Sequence, residues 1–256
     1  MLKIKIGKWL IALISLAAII TIFFIEPIKQ DLAYHQFIDN RTLLGIPNFW
    51  DVVSNLPFFI VGMLALYQFN SLNIIAELRK AYWLFFFGVA MVAFGSGYYH
   101  YSPSNETLLW DRLPMTIAFM SLFALIISEF IDIKIGAILL IPLLILGVLS
   151  VLYWQWTESN GVGDLRFYAL VQFLPIVMIP IIIVLFPSKY DKVTGYWLLF
   201  LGYVTAKLFE YFDEDIFALT SGIMSGHALK HVAAAIGVAF LYLAFKNRVR
   251  NNLSHY

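Results

Sequence analysis

The chain has 256 residues, 61% of them hydrophobic and 13% charged, with a net charge of +1 and no cysteine. So much apolar sequence exceeds what one water-soluble core of this size holds, which excludes a soluble globular enzyme, and the near-zero charge removes the basic face that nucleic-acid binding needs. Without cysteine there are no disulfides, no thiolate catalysis and no cysteine-ligated metal, so any metal must be held by His, Asp or Glu.

A helix crossing a bilayer needs ~20 mostly apolar residues, and the hydrophobic runs predict eight, giving an all-α integral membrane protein. In chain order they cover residues 9–25, 50–69, 81–101, 112–131, 135–154, 166–186, 195–212 and 225–245. The first follows Lys3, Lys5 and Lys8 and stays apolar through Phe24 and Ile25 without a small-residue cleavage site, so it reads as an uncleaved signal anchor. Placing the N-terminus in the cytoplasm puts 11 of the 17 lysines and arginines in cytoplasmic segments, as short basic loops prefer. Both termini are then cytoplasmic. The expected organisation is an anchor helix at 1–30, an outer loop at 31–49, a seven-helix bundle at 50–246 and a cytoplasmic tail at 247–256.

Ionisable groups inside membrane spans are costly and therefore functional candidates. His100 closes the third span, Asp111 opens the fourth, Lys207 and Glu210 lie late in the seventh, and His227, Lys230 and His231 open the eighth. All of these are expected in the outer half, so three of the five histidines and an aspartate share one membrane face. His227 and His231 are four apart on one helix face, a spacing that lets two imidazoles bind one ion. Ser96 and His100 stack in the same way on the third span.

Three neutral histidines from two helices are the ligand complement of a catalytic zinc site that keeps a fourth position for water. Zinc lowers the pKa of such a water to ~7. Asp111 is the natural proton acceptor and donor beside it, and Ser96 could hydrogen-bond the water or the oxyanion of an attacked carbonyl. The competing reading is that the HxxxH pair serves only helix–helix hydrogen bonding.

Asn48-Phe49-Trp50-Asp51-Val52-Val53-Ser54-Asn55-Leu56-Pro57-Phe58 resembles the segment that opens the first core span of alkaline ceramidases. Gly95-Ser96-Gly97-Tyr98-Tyr99-His100, followed by Asp111-Arg112-Leu113-Pro114, is similar to that family's Ser-xxx-His segment and downstream Asp-x-Leu-Pro, and His227-Ala228-Leu229-Lys230-His231 to its final HxxxH. The resemblance implies the ceramidase group of a superfamily of seven-span metal hydrolases that also contains progestin and adiponectin-type receptors. It further implies His100, His227 and His231 as zinc ligands, Asp111 as acid/base, Ser96 beside the metal-bound water, and hydrolysis of an N-acyl sphingoid base. Characterised eukaryotic members carry an acidic Asp-Trp-rich calcium-binding segment upstream and a Glu before the Phe-Trp pair. This chain has Asn48 there and His35, Asp39, Asn40 and Arg41 upstream, which argues against calcium regulation. The extra first span suggests a bacterial-type relative in an inner membrane, with the site toward the periplasm.

Asp51 and Asn55 could hold a metal-ligating histidine in its tautomer, or merely cap and pair helices. Lys207 and Glu210, three apart, predict an ion pair, and Lys230 a structural role. Asp213, Glu214 and Asp215 read as a solvated turn able to attract a cation. The leading expectation is a zinc-dependent membrane amidase whose partner is a lipid substrate, ceramide or another N-acyl lipid, with no nucleic acid and no protein partner implied. The rival is a receptor-like or scaffolding membrane protein with a structural or ligand-sensing site. A transporter ranks last, since no paired Gly/Pro-interrupted spans meet at the midplane.

Overall fold

The computed structural model describes residues 2–251, so the last residues of the expected tail, 252–256, lie outside the described part of the chain. It is all helical, with ten α-helices among the described residues: α1 (Leu2–Thr21), α2 (Phe49–Val53), α3 (Leu56–Tyr67), α4 (Arg79–Tyr101), α5 (Asn105–Ile126), α6 (Ile133–Ser159), α7 (Arg166–Leu185), α8 (Thr194–Tyr211), α9 (Asp213–Leu219) and α10 (Gly226–Asn247). Seven helical stretches are long and apolar enough to cross a bilayer. The expected span at 195–212 forms α8, which falls outside those seven, carries Lys207 and Glu210, and packs lengthwise on α10. The chain is a multi-pass integral membrane protein.

Two expected boundaries move for identifiable reasons. The span at 50–69 is broken into α2 and α3, because Ser54 and Asn55 turn their side chains back onto the Asp51 carbonyl and Pro57 sits in the first turn of α3. Side chains of these types compete with the helix's own hydrogen bonds, and proline supplies no N–H to continue them. The fourth span starts at Asn105 rather than at Asp111, since Ser104 and Thr107 form a reciprocal capping box. Asp111 therefore sits in the second turn of α5.

Helices α4, α5, α7, α8 and α10 surround the interior, with α3 packed on α4 and α10, α6 on α5 and α7, and α1 on the outside of α7. Close approach of α4 and α5 depends on Gly88 and Gly95, where an added Cβ would lie 2.8 Å from the Ala118 nitrogen and 2.0 Å from the Trp110 carbonyl oxygen. Small residues allow such backbone contact between membrane helices. Helices α7 and α8 follow one another in sequence yet their backbones approach each other little, and this sparsely packed boundary forms a seam between them.

One ionisable residue of the spans escapes the list of outer-half groups. Glu129, in a π-helical segment at Ile127–Ile131, is fully buried at the opposite end of the bundle. There it pairs with Arg248 at 2.8 Å and accepts hydrogen bonds from Tyr196, at 2.7 Å, and from Tyr82. The reading that all intramembrane charges share one face is corrected accordingly: this pair fastens the chain after α10 to α4, α5 and α8.

Candidate metal centre

The structure brings the three histidines together. His100 ends α4, His227 and His231 lie in the first two turns of α10, and their ring centroids form a near-equilateral triangle of 4.9, 5.1 and 5.3 Å. All three are at most 7% exposed, and one candidate ligand atom from each lies within 4.8 Å of the others. The HxxxH spacing gives the α10 pair directly, whereas His100 is delivered by the α4–α10 arrangement.

The start of α10 is fixed by several short bonds. Ser225 accepts from the Ala228 N–H as N-cap and donates to Asp51 at 3.3 Å, and Asp213 accepts from the His227 N–H at 2.7 Å. Each satisfies or supports a backbone donor that the first helical turn leaves free. Asp213 thus caps a helix, and burial raises its carboxyl above the ordinary range. Asp51 supports that cap and touches no histidine. Asn55 donates back to the Asp51 and Val52 carbonyls of α2, makes no side-chain cap bond to α3, and likewise touches no histidine.

The residue that does orient a histidine is Ser54, whose hydroxyl lies 2.8 Å from His231 Nδ1. Pairing at Nδ1 leaves Nε2 for the centre. The sequence offered a signal, since Ser54 is three residues from Asp51 in the Trp50–Asn55 segment, but its neighbours drew attention instead. Asn48 also meets the site. In left-handed conformation at φ 47°, which asparagine tolerates, it donates to the His100 carbonyl oxygen at 2.8 Å. Phe37, from the segment linking α1 to α2, covers the triad with its ring 4.8 Å from His100 and 5.2 Å from His227.

These residues fit a metal ion. His100 Nε2 and His227 Nε2 face each other at 3.4 Å, and the ligands of a tetrahedral ion with bonds of ~2.0–2.1 Å stand about 3.4 Å apart. His100 Nδ1 is buried without a partner, so a neutral ring carrying its proton there turns a lone pair inward. An all-imidazole donor set with no thiolate suits a zinc-like ion.

His100 and His231 line a cavity of about 570 Å³, and so do Ser96 and Asp111. The Ser96 hydroxyl sits next to the Asp111 carboxyl. The wall is mainly apolar below the histidines, with Phe119, Leu122, Ile176 and Leu199 among its residues, and cationic near them. The expected Lys207–Glu210 pair forms at 2.6 Å, and Lys230 joins it by donating to the other Glu210 oxygen at 2.6 Å.

Among curated proteins none matches the chain. A family profile described as Ceramidase matches residues 45–254, which takes in α2 to α10 and every residue of the site named above except Phe37.

Proposed function

Since the chain belongs to the ceramidase family, a family of amide-bond hydrolases, we propose that it is a zinc-dependent membrane amidase that cleaves ceramide or a related N-acyl lipid to a fatty acid and a free amine. The observation that carries this reading is the 3.4 Å approach of two buried imidazole nitrogens, with a third histidine beside them, at the polar end of a large apolar cavity. His100, His227 and His231 would hold the ion. When bound, zinc supplies a Lewis acid for the amide carbonyl and a means of acidifying water near neutral pH.

The remaining work falls to the protein's own groups. Asp111 takes up the proton released as water attacks and returns it to the leaving nitrogen. Ser96 donates a hydrogen bond to the developing oxyanion or holds the attacking water. Ser54 keeps His231 in one tautomer, and Phe37 shields the centre from bulk water. The apolar wall holds hydrocarbon, and the seam between α7 and α8 offers a lipid a sideways path from the bilayer. In this reading α1 is an anchor outside a catalytic bundle of the following helices, both termini are cytoplasmic, and the site faces the periplasm of a bacterial cell.

The test is metal analysis of purified protein combined with fatty-acid release from ceramide and from other N-acyl lipids, with and without a chelator. About one zinc per chain and chelator-sensitive release are expected. Release that survives complete removal of metal would refute the metal-dependent reading, and zinc without any amide hydrolysis would refute the amidase.

A further inference from the structure

Among the described residues Arg112 is a buried cation that no carboxylate pairs with directly. It is 7% exposed. Among the described residues its side chain makes one hydrogen bond, from Nη2 to the neutral Gln30 Oε1 at 2.6 Å, while Nη1 is buried without a partner. The guanidinium lies over Trp154 at 4.0 Å and Tyr168 at 4.7 Å. No carboxylate forms an ion pair with it among the described residues.

The other buried arginine provides the contrast. Arg248 is also stacked, 3.8 Å from the Tyr190 ring centroid, yet it has Glu129 at 2.8 Å. Aromatic stacking therefore does not replace a counter-ion in this protein. Burying an unpaired charge is costly, and within a membrane span such a group is a functional candidate.

Arg112 follows Asp111 and lines the same cavity. Lys29, Lys207 and Lys230 line it too, against Asp31, Asp111 and Glu210, and Glu210 is already taken by both neighbouring lysines. The polar end is thus cationic even before a metal is counted. With hydrocarbon held by the apolar wall below, the part of an N-acyl substrate left near Arg112 is its amine portion.

We propose that Arg112 recognises an acidic group, in the simplest case a carboxylate, on the amine portion of the substrate, so that the preferred N-acyl lipid is anionic. This rests on the amidase reading above and names its substrate class. A guanidinium is suited to the task because its forked N–H groups match the two oxygens of a carboxylate.

The experiment uses the full chain, zinc-loaded and in lipid nanodiscs, with N-oleoylglycine and the neutral N-oleoylethanolamine, which share an acyl chain. A charge-assisted hydrogen bond predicts a kcat/KM roughly ten- to a hundredfold higher for the acid. Arg112→Gln should bring that ratio to within about threefold of one, and Arg112→Lys should keep part of it. Thermal stabilisation is read in parallel: N-oleoylglycine should raise the Tm of the wild type more than N-oleoylethanolamine does, and lose that advantage in Arg112→Gln. If Arg112→Gln does not fold, the two wild-type comparisons decide. Hydrolysis with no preference for the acid overturns the proposal and leaves the amidase reading standing. Arg112-dependent stabilisation with no hydrolysis of either lipid does the reverse. Equal stabilisation by free oleate, without an acid preference in turnover, overturns it by assigning Arg112 to the product.

Discussion

At the scale of single residues, the three histidines and their supports separate into groups with distinguishable losses. Replacing His100, His227 or His231 by Ala should abolish both bound zinc and turnover, as atomic absorption and fatty-acid release would show. Asp111→Asn should keep the metal and lower kcat by about 10²–10⁴, the usual contribution of a positioned acid/base; full turnover in this variant would sink the assignment. Ser54→Ala belongs to a third class, because its hydroxyl meets His231 at Nδ1, away from the centre, and otherwise the Asp51 carbonyl. Loss of such a support typically costs 10- to 100-fold in metal affinity, so titration with a competing chelator should show weakened zinc binding that Ser54→Thr restores in part. The four-residue spacings put His227 with His231, and Ser96 with His100, on common helix faces, while Asp111 was legible as an ionisable residue at the edge of a span. Asn48 and Phe37 were not legible, and Ser54 only through its place three residues from Asp51, since each meets the site through a chain reversal or a crossing of elements distant in sequence.

At the scale of elements, the helices could be read to within a few residues wherever an apolar run met a polar break, as at α7 and α10. The reading failed where local side-chain chemistry overrode hydropathy: at the Ser54–Asn55 break, and at the Ser104 capping box. Interhelical distance is a further property that hydropathy does not encode. Gly95 lies against the Trp110 carbonyl, one residue before Ser96 and one before Asp111 on the two facing helices. In Gly95→Ala the new methyl, 2.0 Å from that oxygen, forces α4 and α5 apart at the level of the site. The expected result is a lowered Tm together with a kcat loss larger than that of Gly97→Ala, whose added methyl meets nothing within 4 Å. The segment linking α1 to α2 is held differently. Arg166, paired with Asp164 at 2.8 Å, also donates to the Ile22 and Ile25 carbonyls. Arg166 holds the Asp164 carboxyl below the usual carboxylate range, so its stabilising contribution is present above the ordinary pKa of ~3.9 and is lost as pH falls through the depressed value. The Tm difference between wild type and Asp164→Asn should accordingly be largest near neutral pH and shrink below about pH 4; it should also be small, because a partly exposed pair is screened.

At the scale of the whole molecule, two polar clusters lie at opposite ends of an apolar bundle and divide stability from chemistry. The Glu129–Arg248 cluster is fully paired and closed, whereas the histidine end keeps unpartnered atoms and an open cavity. Glu129 is a lone carboxylate at the far end of an apolar run, and its pairing with Arg248 depends on elements distant in sequence, whereas the histidines carry a spacing that hydropathy and periodicity reveal together. The same asymmetry bears on how substrate arrives. The segment linking α1 to α2 covers the histidines through Phe37, and His35 ties it to Tyr99 at 3.0 Å and Asn105 at 2.9 Å. The cavity wall, by contrast, includes residues of both α7 and α8, whose backbones approach each other little. A lipid moving between those helices would bring its amide to the histidines without leaving the bilayer. Ala169 on α7 and Ala206 on α8 both line the cavity, and a large side chain at either position narrows that route without touching the metal ligands. Ala169→Trp and Ala206→Trp should therefore keep full zinc content while kcat/KM falls at least tenfold for a long-chain N-acyl lipid and much less for a short-chain, water-soluble one. Equal losses on both substrates would mean that the lipid comes in through the segment linking α1 to α2, and Phe37 rather than the α7–α8 seam would then control access.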